Sequence, residues 1–175
     1  FTSIKSGKEK NSDFYAQEEN YDILIFGSSH AVMGIFPMEL WQEYGMISYN
    51  LGNYEQYLPV DYWVFKNALR YTTPKLVILD AYMVMFDEKH TKDHIGFLHE
   101  MFDPMPNSVD KLNAINDLFS DDLRKEFLVP FSTNHSRWEL CDESFFRPMI
   151  STYQKGADSN AALGVPSDRL VTSCE

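Results

Sequence analysis

Apolar and polar positions in the first half of the chain fall into two alternating patterns. Ile23 to Phe26 form an unbroken apolar run that follows Asp22 and stops at Gly27. A short apolar run bounded by a turn residue predicts a strand buried on both faces. A second run, Met46 to Leu51, closes at Gly52-Asn53, and a third, Leu76 to Leu79, ends in Asp80-Ala81-Tyr82. Both are expected as further strands, the third buried like the first. Between them the period changes. Pro37 suits the first turn of a helix that continues through Met38, Leu40, Trp41 and Tyr44 and ends at Gly45. Pro59 opens a longer helix to about Tyr71, with Val60, Trp63, Val64, Asn67 and Ala68 on one face and Thr73-Pro74 as its breaker.

Strand, helix, strand, helix, strand over Tyr21 to Tyr82 predicts an α/β fold, a mainly parallel, doubly wound sheet with crossover helices. Right-handed crossovers put the loops after all three strands on one rim. That rim gathers Ser28, Ser29 and His30, then Gly52 and Asn53, then Asp80 and Tyr82. Open α/β sheets bind their ligands at the carboxyl ends of the strands.

The second half is less regular. Ser108 to about Phe119 predicts a capped helix, Leu123 to Leu128 a short one, and Asp142 a cap for another through Phe146. Asp87 to His99 is charged, Met101 to Pro106 has the composition of a loop, and Pro130 to Trp138 is irregular. Residues 1–20 are polar enough to predict a flexible linker, 21–150 form the α/β domain, and 151–175 are a loop or tail. Doubly wound sheets usually carry about five strands. Three are evident, so the sheet is expected to be incomplete. Strands hidden in the second half would account for this, but a fragment of a longer protein is the preferred explanation.

Composition narrows the classes of function. At 175 residues and 44% hydrophobic content the chain supports one domain with a substantial core. A net charge of −11 argues against nucleic acid and anionic lipid as partners, since both need a basic face. No apolar run approaches the ~18–20 residues that span a bilayer. Cys141 and Cys174 lack the Cys-x-x-Cys spacing of a four-thiolate zinc site; one disulfide and two free thiols both remain open. His90 and His94 are four apart, but His-Thr-Lys-Asp-His lacks the glutamate of the zinc-protease motif. Neither metal nor cofactor is expected.

The chemistry centres on Gly27-Ser28-Ser29-His30. A nucleophilic serine needs a sharp strand-to-helix turn, which Gly27 supplies, and backbone N–H groups to hold an oxyanion. The nucleophile elbow Gly-x-Ser-x-Gly is not matched, because Ala31 stands at its second glycine. Helix capping by Ser28 and Ser29 is the alternative reading.

The blocks Asp22-Ile-Leu-Ile-Phe-Gly-Ser-Ser-His30, Tyr49-Asn-Leu-Gly-Asn53 and Pro74-Lys-Leu-Val-Ile-Leu-Asp-Ala-Tyr82 resemble the SGNH (GDSL-type) hydrolase superfamily. They are most similar to its cell-envelope branch, which includes the D-alanyl transfer protein of teichoic-acid modification and the alginate O-acetylation proteins. The resemblance covers Tyr21 to Tyr82, with a weaker likeness around His135 to Trp138. It implies a flavodoxin-like three-layer sandwich with Ser29 as nucleophile and Ser28 at the family's aspartate position. The oxyanion donors would be the Ser29 and Gly52 N–H groups. The third-block asparagine is absent, since Asp80-Ala81-Tyr82 stands there, and Asn53 is the substitute. Ser28, His30, Asp80, Tyr82 and His135 are the expected substrate contacts. The family's base lies in a late Asp-x-x-His block. Asp87-Glu-Lys-His90 matches by letter but comes too early in the topology, and none occurs between Leu128 and Glu175.

The implied function is a serine esterase or O-acyltransferase acting on a bacterial cell-envelope polysaccharide or polymer. The implied partner is a membrane-bound O-acyltransferase. The implied location is extracytoplasmic, with a membrane anchor outside this chain. The alternative, suggested by the altered third block, is a non-catalytic module that binds glycan or a partner protein.

Overall fold

The computed structural model describes residues 10–17, 19–85 and 95–128, and the backbone of two short strands, Tyr153–Gln154 and Ala157–Asp158. Asp87 to His94, Pro130 to Trp138 with His135, the helix expected at Asp142, Cys141 and Cys174 lie outside the described residues.

Three strands, β1 (Ile23–Phe26), β2 (Ser48–Asn50) and β3 (Leu76–Leu79), form a parallel sheet in the order β2-β1-β3. Ile25 lies opposite Asn50 on one side and Ile78 on the other, and Phe26 lies opposite Leu79. This level register brings the turns after the three strands out at one height.

Side-chain alternation along β1 divides the core into two faces, as the period of a strand requires. Ile23 and Ile25 pack with Ala31, Ile35, Leu40 and Ile78, beneath α2 (Ser29–Gly34) and α3 (Pro37–Tyr44). Leu24 and Phe26 pack on the other face with Val60, Trp63, Val64 and Ala68 of α4 (Leu58–Ala68). That larger cluster extends into α5 (Ile95–Phe102), α6 (Val109–Leu118) and α7 (Asp121–Leu128). The molecule is therefore mixed α/β, with helices on both sides of a parallel sheet.

The local punctuation acts as its chemistry dictates. Gly45 caps α3 at φ +67°, its N–H bonded to the Trp41 carbonyl at 2.8 Å. Ser108 caps α6, its hydroxyl accepting the Lys111 N–H at 3.0 Å. α4 ends at Ala68 rather than Tyr71, because Arg70 and Tyr71 turn back onto the carbonyls of Asn67 and Ala68, three residues earlier.

Three expectations are corrected. Residues 10–16, within the predicted linker, are helical (α1). Phe14 is buried there against Tyr21 and Tyr49, with ring centroids 5.7 and 5.2 Å away. One buried face suffices to fix a helix whose average composition is polar. β3 is not buried: Leu76, Val77 and Leu79 are 51%, 40% and 43% exposed. Among the described residues it pairs only with β1, so it forms an edge with apolar side chains uncovered on both faces. Finally, the predicted tail contains an antiparallel pairing of Tyr153–Gln154 with Ala157–Asp158. Among the described residues no helix is long and apolar enough to cross a membrane.

Candidate active site

β1 ends in a turn whose shape demands glycine. Gly27 has φ +130°, and a β-carbon there would lie 2.4 Å from the Asp80 β-carbon. This close approach lets the first and third strand ends interlock. The Ser28 backbone N–H donates to Asp80 Oδ2 at 3.2 Å, and the Ser28 hydroxyl donates to the same oxygen at 2.6 Å. Asp80 Oδ1 accepts the Tyr82 N–H at 2.9 Å. Ser28 also caps α2, its hydroxyl accepting the His30 N–H at 3.3 Å.

The His30 ring lies over Tyr82, centroids 4.2 Å apart, with Nδ1 3.1 Å from Ser28 Oγ. The single hydroxyl proton of Ser28 is committed to Asp80. The Nδ1 contact is then a hydrogen bond only if Nδ1 carries a proton and donates. In the neutral imidazole this leaves Nε2 as the acceptor.

Burial alone would push the Asp80 carboxyl up. Hydrogen bonds from the Ser28 hydroxyl, the Tyr82 N–H and the Ser28 N–H, with the nearby His30, outweigh it and hold the carboxyl below its usual range. A depressed carboxyl contributes stability above the ordinary carboxylate range, and that contribution is lost as pH falls through its folded value. Asp80→Asn is therefore expected to cost about 1–2 kcal/mol near pH 7, as charge-assisted bonds become neutral ones. The deficit should shrink in acid, where the wild-type carboxyl is also protonated. Urea unfolding of both proteins at neutral and acid pH checks this; an equal deficit at both would refute it.

The second strand end also meets the turn, with a consequence for the expected oxyanion donors. The Gly52 N–H donates to Asn50 Oδ1 at 3.0 Å, and the Asn53 N–H donates to the Gly27 carbonyl at 3.0 Å. Asn53 Nδ2 donates to the Phe97 carbonyl at 3.3 Å. Gly52 and Asn53, expected to face an oxyanion, thus have those donors engaged in holding the loop. Gly52 is needed for close approach, since a β-carbon there would meet the Gly27 carbonyl at 2.9 Å.

Ser29 differs from Ser28. It opens α2, is partly exposed, and among the described residues no hydrogen bond engages its hydroxyl. Ser28, His30, Asp80 and Tyr82 are in mutual contact, Ser29 borders them, Gly52 and Asn53 back the turn, and His135 is outside the described residues.

Several groups with little signal in the sequence support the turn. Asn50 ties β2 to α2, donating from Nδ2 to the carbonyls of Ala31 and Ile35. Buried Lys10 donates from Nζ to the Gly52 carbonyl. Buried Asp61 of α4 accepts the Gln56 Nε2–H. A polar residue in the β2 run and an acid on the inward face of α4 were the available signals for Asn50 and Asp61; Lys10 had none. His99 is structural, bonded to Asp103 at 2.9 Å and stacked on Phe127 at 4.3 Å. Among the described residues no group of three or more metal-binding side chains occurs. A cavity of about 430 Å³ near α6 and α7, lined by Ser108, Lys111, Ile115 and Phe127, includes none of the rim residues.

Fold and rim define a class: a mixed α/β protein whose parallel strands deliver serine, histidine, aspartate and tyrosine side chains to one edge. No protein-family model, curated protein or solved structure matches the chain.

Proposed function

We propose that the chain is an SGNH-like serine esterase or O-acyltransferase acting on a cell-envelope polysaccharide or polymer, with Ser29 as nucleophile. The observation that carries this reading is the contrast between two adjacent serines. Ser28 is buried and tied to Asp80, whereas Ser29 presents an unengaged hydroxyl at the rim. The strand order β2-β1-β3 agrees with the start of the flavodoxin-like order, and the uncovered β3 leaves room for further strands.

In the proposed reaction Ser29 Oγ attacks the acyl carbonyl carbon and passes its proton to a base histidine from a segment outside this chain. The oxyanion collapses, the ester C–O bond breaks, and the histidine returns the proton to the leaving alcohol. Water or a polymer hydroxyl then takes the acyl group by the same steps in reverse. The Ser29 N–H is one donor for the oxyanion. This reading carries with it a membrane-bound O-acyltransferase as partner and an anchored, extracytoplasmic setting.

A second reading has one observation in its favour. With the Gly52 and Asn53 donors engaged, the same rim suits a non-catalytic module that stacks a sugar on exposed Tyr82.

Labelling with a fluorophosphonate separates the two. Mass spectrometry is expected to place the adduct on Ser29, and Ser29→Ala is expected to lower p-nitrophenyl acetate turnover at least ~10³-fold. The natural full-length protein is the sample. Glycan binding without any Ser29 adduct would overturn the enzyme reading.

A further inference from the structure

The rim fixes the proton of one side chain. Ser28 is 2% exposed, and its hydroxyl proton goes to Asp80 Oδ2 at 2.6 Å. A hydrogen bond to an ionised acceptor is roughly twice as strong as a neutral one. Turning that proton toward His30 Nδ1, 3.1 Å from Ser28 Oγ, would give up the stronger bond for a weaker one. The Ser28 oxygen therefore meets Nδ1 as an acceptor, as it meets the His30 N–H at 3.3 Å. A neutral His30 carries its proton on Nδ1 and donates it to Ser28. Nε2 is then a bare acceptor. The ring is exposed, and among the described residues no hydrogen bond engages Nε2. Tyr82, 51% exposed, lies against the same ring, with centroids 4.2 Å apart and planes tilted by 42°.

We propose that His30 selects a neutral glycan: the Asp80–Ser28 chain fixes its proton on Nδ1, and Nε2 accepts a hydroxyl of a sugar whose apolar face lies on Tyr82. Ser28 is then a positioning residue, acting on the ligand only through His30. This names the substrate class of the proposed function. It rests on a glycan at the rim, which both readings share, and not on Ser29 as nucleophile.

The chemistry of Nε2 sets the class of ligand. A lone pair accepts from O–H or N–H and repels carboxylate and phosphate oxygens, which carry no proton. A sugar ring supplies both halves of the match, with hydroxyls at its edge and C–H groups on its face. An exposed tyrosine ring suits that face. Charge decides against an acidic polymer. The Asp80 carboxylate stands behind Ser28, and the chain carries a net charge of −11. A uronate or polyol phosphate would bring more negative charge toward both, and like charges brought together suppress a wrong partner.

Two measurements on the natural full-length protein test this. Long-range ¹H–¹⁵N NMR of the neutral His30 ring is expected to show the proton on Nδ1, and a mixture of tautomers in Ser28→Ala. A proton on Nε2 in the wild type overturns the proposal, whether or not Ser28→Ala folds. So does a folded Ser28→Ala whose His30 tautomer is unchanged. At the same pH, cellotetraose, chitotetraose and mannotetraose are compared with tetragalacturonate. At least one neutral sugar is expected to shift Nε2 and to bind more tightly than the uronate. His30→Phe keeps a ring against Tyr82 but offers no acceptor. It should weaken that binding about 3–10-fold, the usual worth of one hydrogen bond. No shift with any neutral sugar, equal affinity for tetragalacturonate, or undiminished binding in His30→Phe overturns the proposal. Glycan binding at His30 with no fluorophosphonate adduct on Ser29 upholds it and removes the esterase reading. An adduct on Ser29 without glycan binding removes the His30 proposal alone.

Discussion

Gly27→Ala is expected to destabilise the chain by about 2–6 kcal/mol and to separate the first strand end from the third. Two costs add. An L side chain at φ +130° occupies a region that is essentially glycine's own, at about 1–3 kcal/mol. The new methyl would also lie 2.4 Å from the Asp80 β-carbon and 3.2 Å from its α-carbon, an overpacking of about 1–3 kcal/mol. Asp80 has little freedom to retreat. Its N–H is bonded to the Phe26 carbonyl at 2.9 Å, and its carboxylate is held by Ser28 and Tyr82. Gly45→Ala is the control. Gly45 also has a positive φ, +67°, but a β-carbon there meets nothing within 4 Å, so its cost should be confined to about 1–2 kcal/mol of backbone strain. Denaturant unfolding of the two variants decides the matter. Equal losses would mean that the Gly27–Asp80 contact contributes nothing. A fluorophosphonate experiment on any folded Gly27→Ala should also show slower labelling at Ser29, because the turn that presents it has moved.

The contrast between these glycines also shows what a sequence exposes and what it hides. Gly45 is legible because its role is local: an apolar helical face ends and a left-handed cap follows. The same holds for Ser108 as a cap and for the three short apolar runs that become β1, β2 and β3. The convergence of their loops follows from parallel crossover geometry, so the neighbourhood of Ser28, His30, Asp80 and Tyr82 could be foreseen. Its wiring could not. Ser28 and Asp80 are 52 positions apart, and their 2.6 Å bond depends on strand register. The engagement of the Gly52 N–H depends on Asn50, a polar residue inside a strand whose side chain turns back onto its own loop. The exposure of β3 depends on what lies beyond it, which its own Leu-Val-Ile-Leu does not encode. In the polar first stretch, a window average conceals that Lys10, Asn11 and Phe14 share one buried helical face.

Lys10 shows how much that concealed face contributes. It is 1% exposed, its Nζ donates to the Gly52 carbonyl, and its own carbonyl accepts the Tyr49 hydroxyl at 2.6 Å. Burial lowers its ammonium to about 7, against the raising influence of Glu100, itself 1% exposed on α5. Lys10→Met keeps the aliphatic stem and deletes the charge and its donors. It is expected to cost about 3–5 kcal/mol, the usual penalty for stranding one member of a buried charge pair. Replacing both partners, Lys10→Met with Glu100→Leu, should recover much of that loss, because the double variant leaves no buried charge unpaired. A double-mutant cycle should return a coupling of about 2 kcal/mol or more. Linkage supplies an independent readout. A lysine whose folded value is lowered binds its proton less tightly in the folded state than in the unfolded one. Its contribution to stability therefore rises as pH increases from about 7 toward the ordinary lysine range. That rise should be missing from Lys10→Met. A single-variant loss below about 1 kcal/mol would show that Glu100 is satisfied without Lys10. The predicted loss would instead make α1 a structural support of the Gly52 loop, and thereby of the rim on which Ser29 stands.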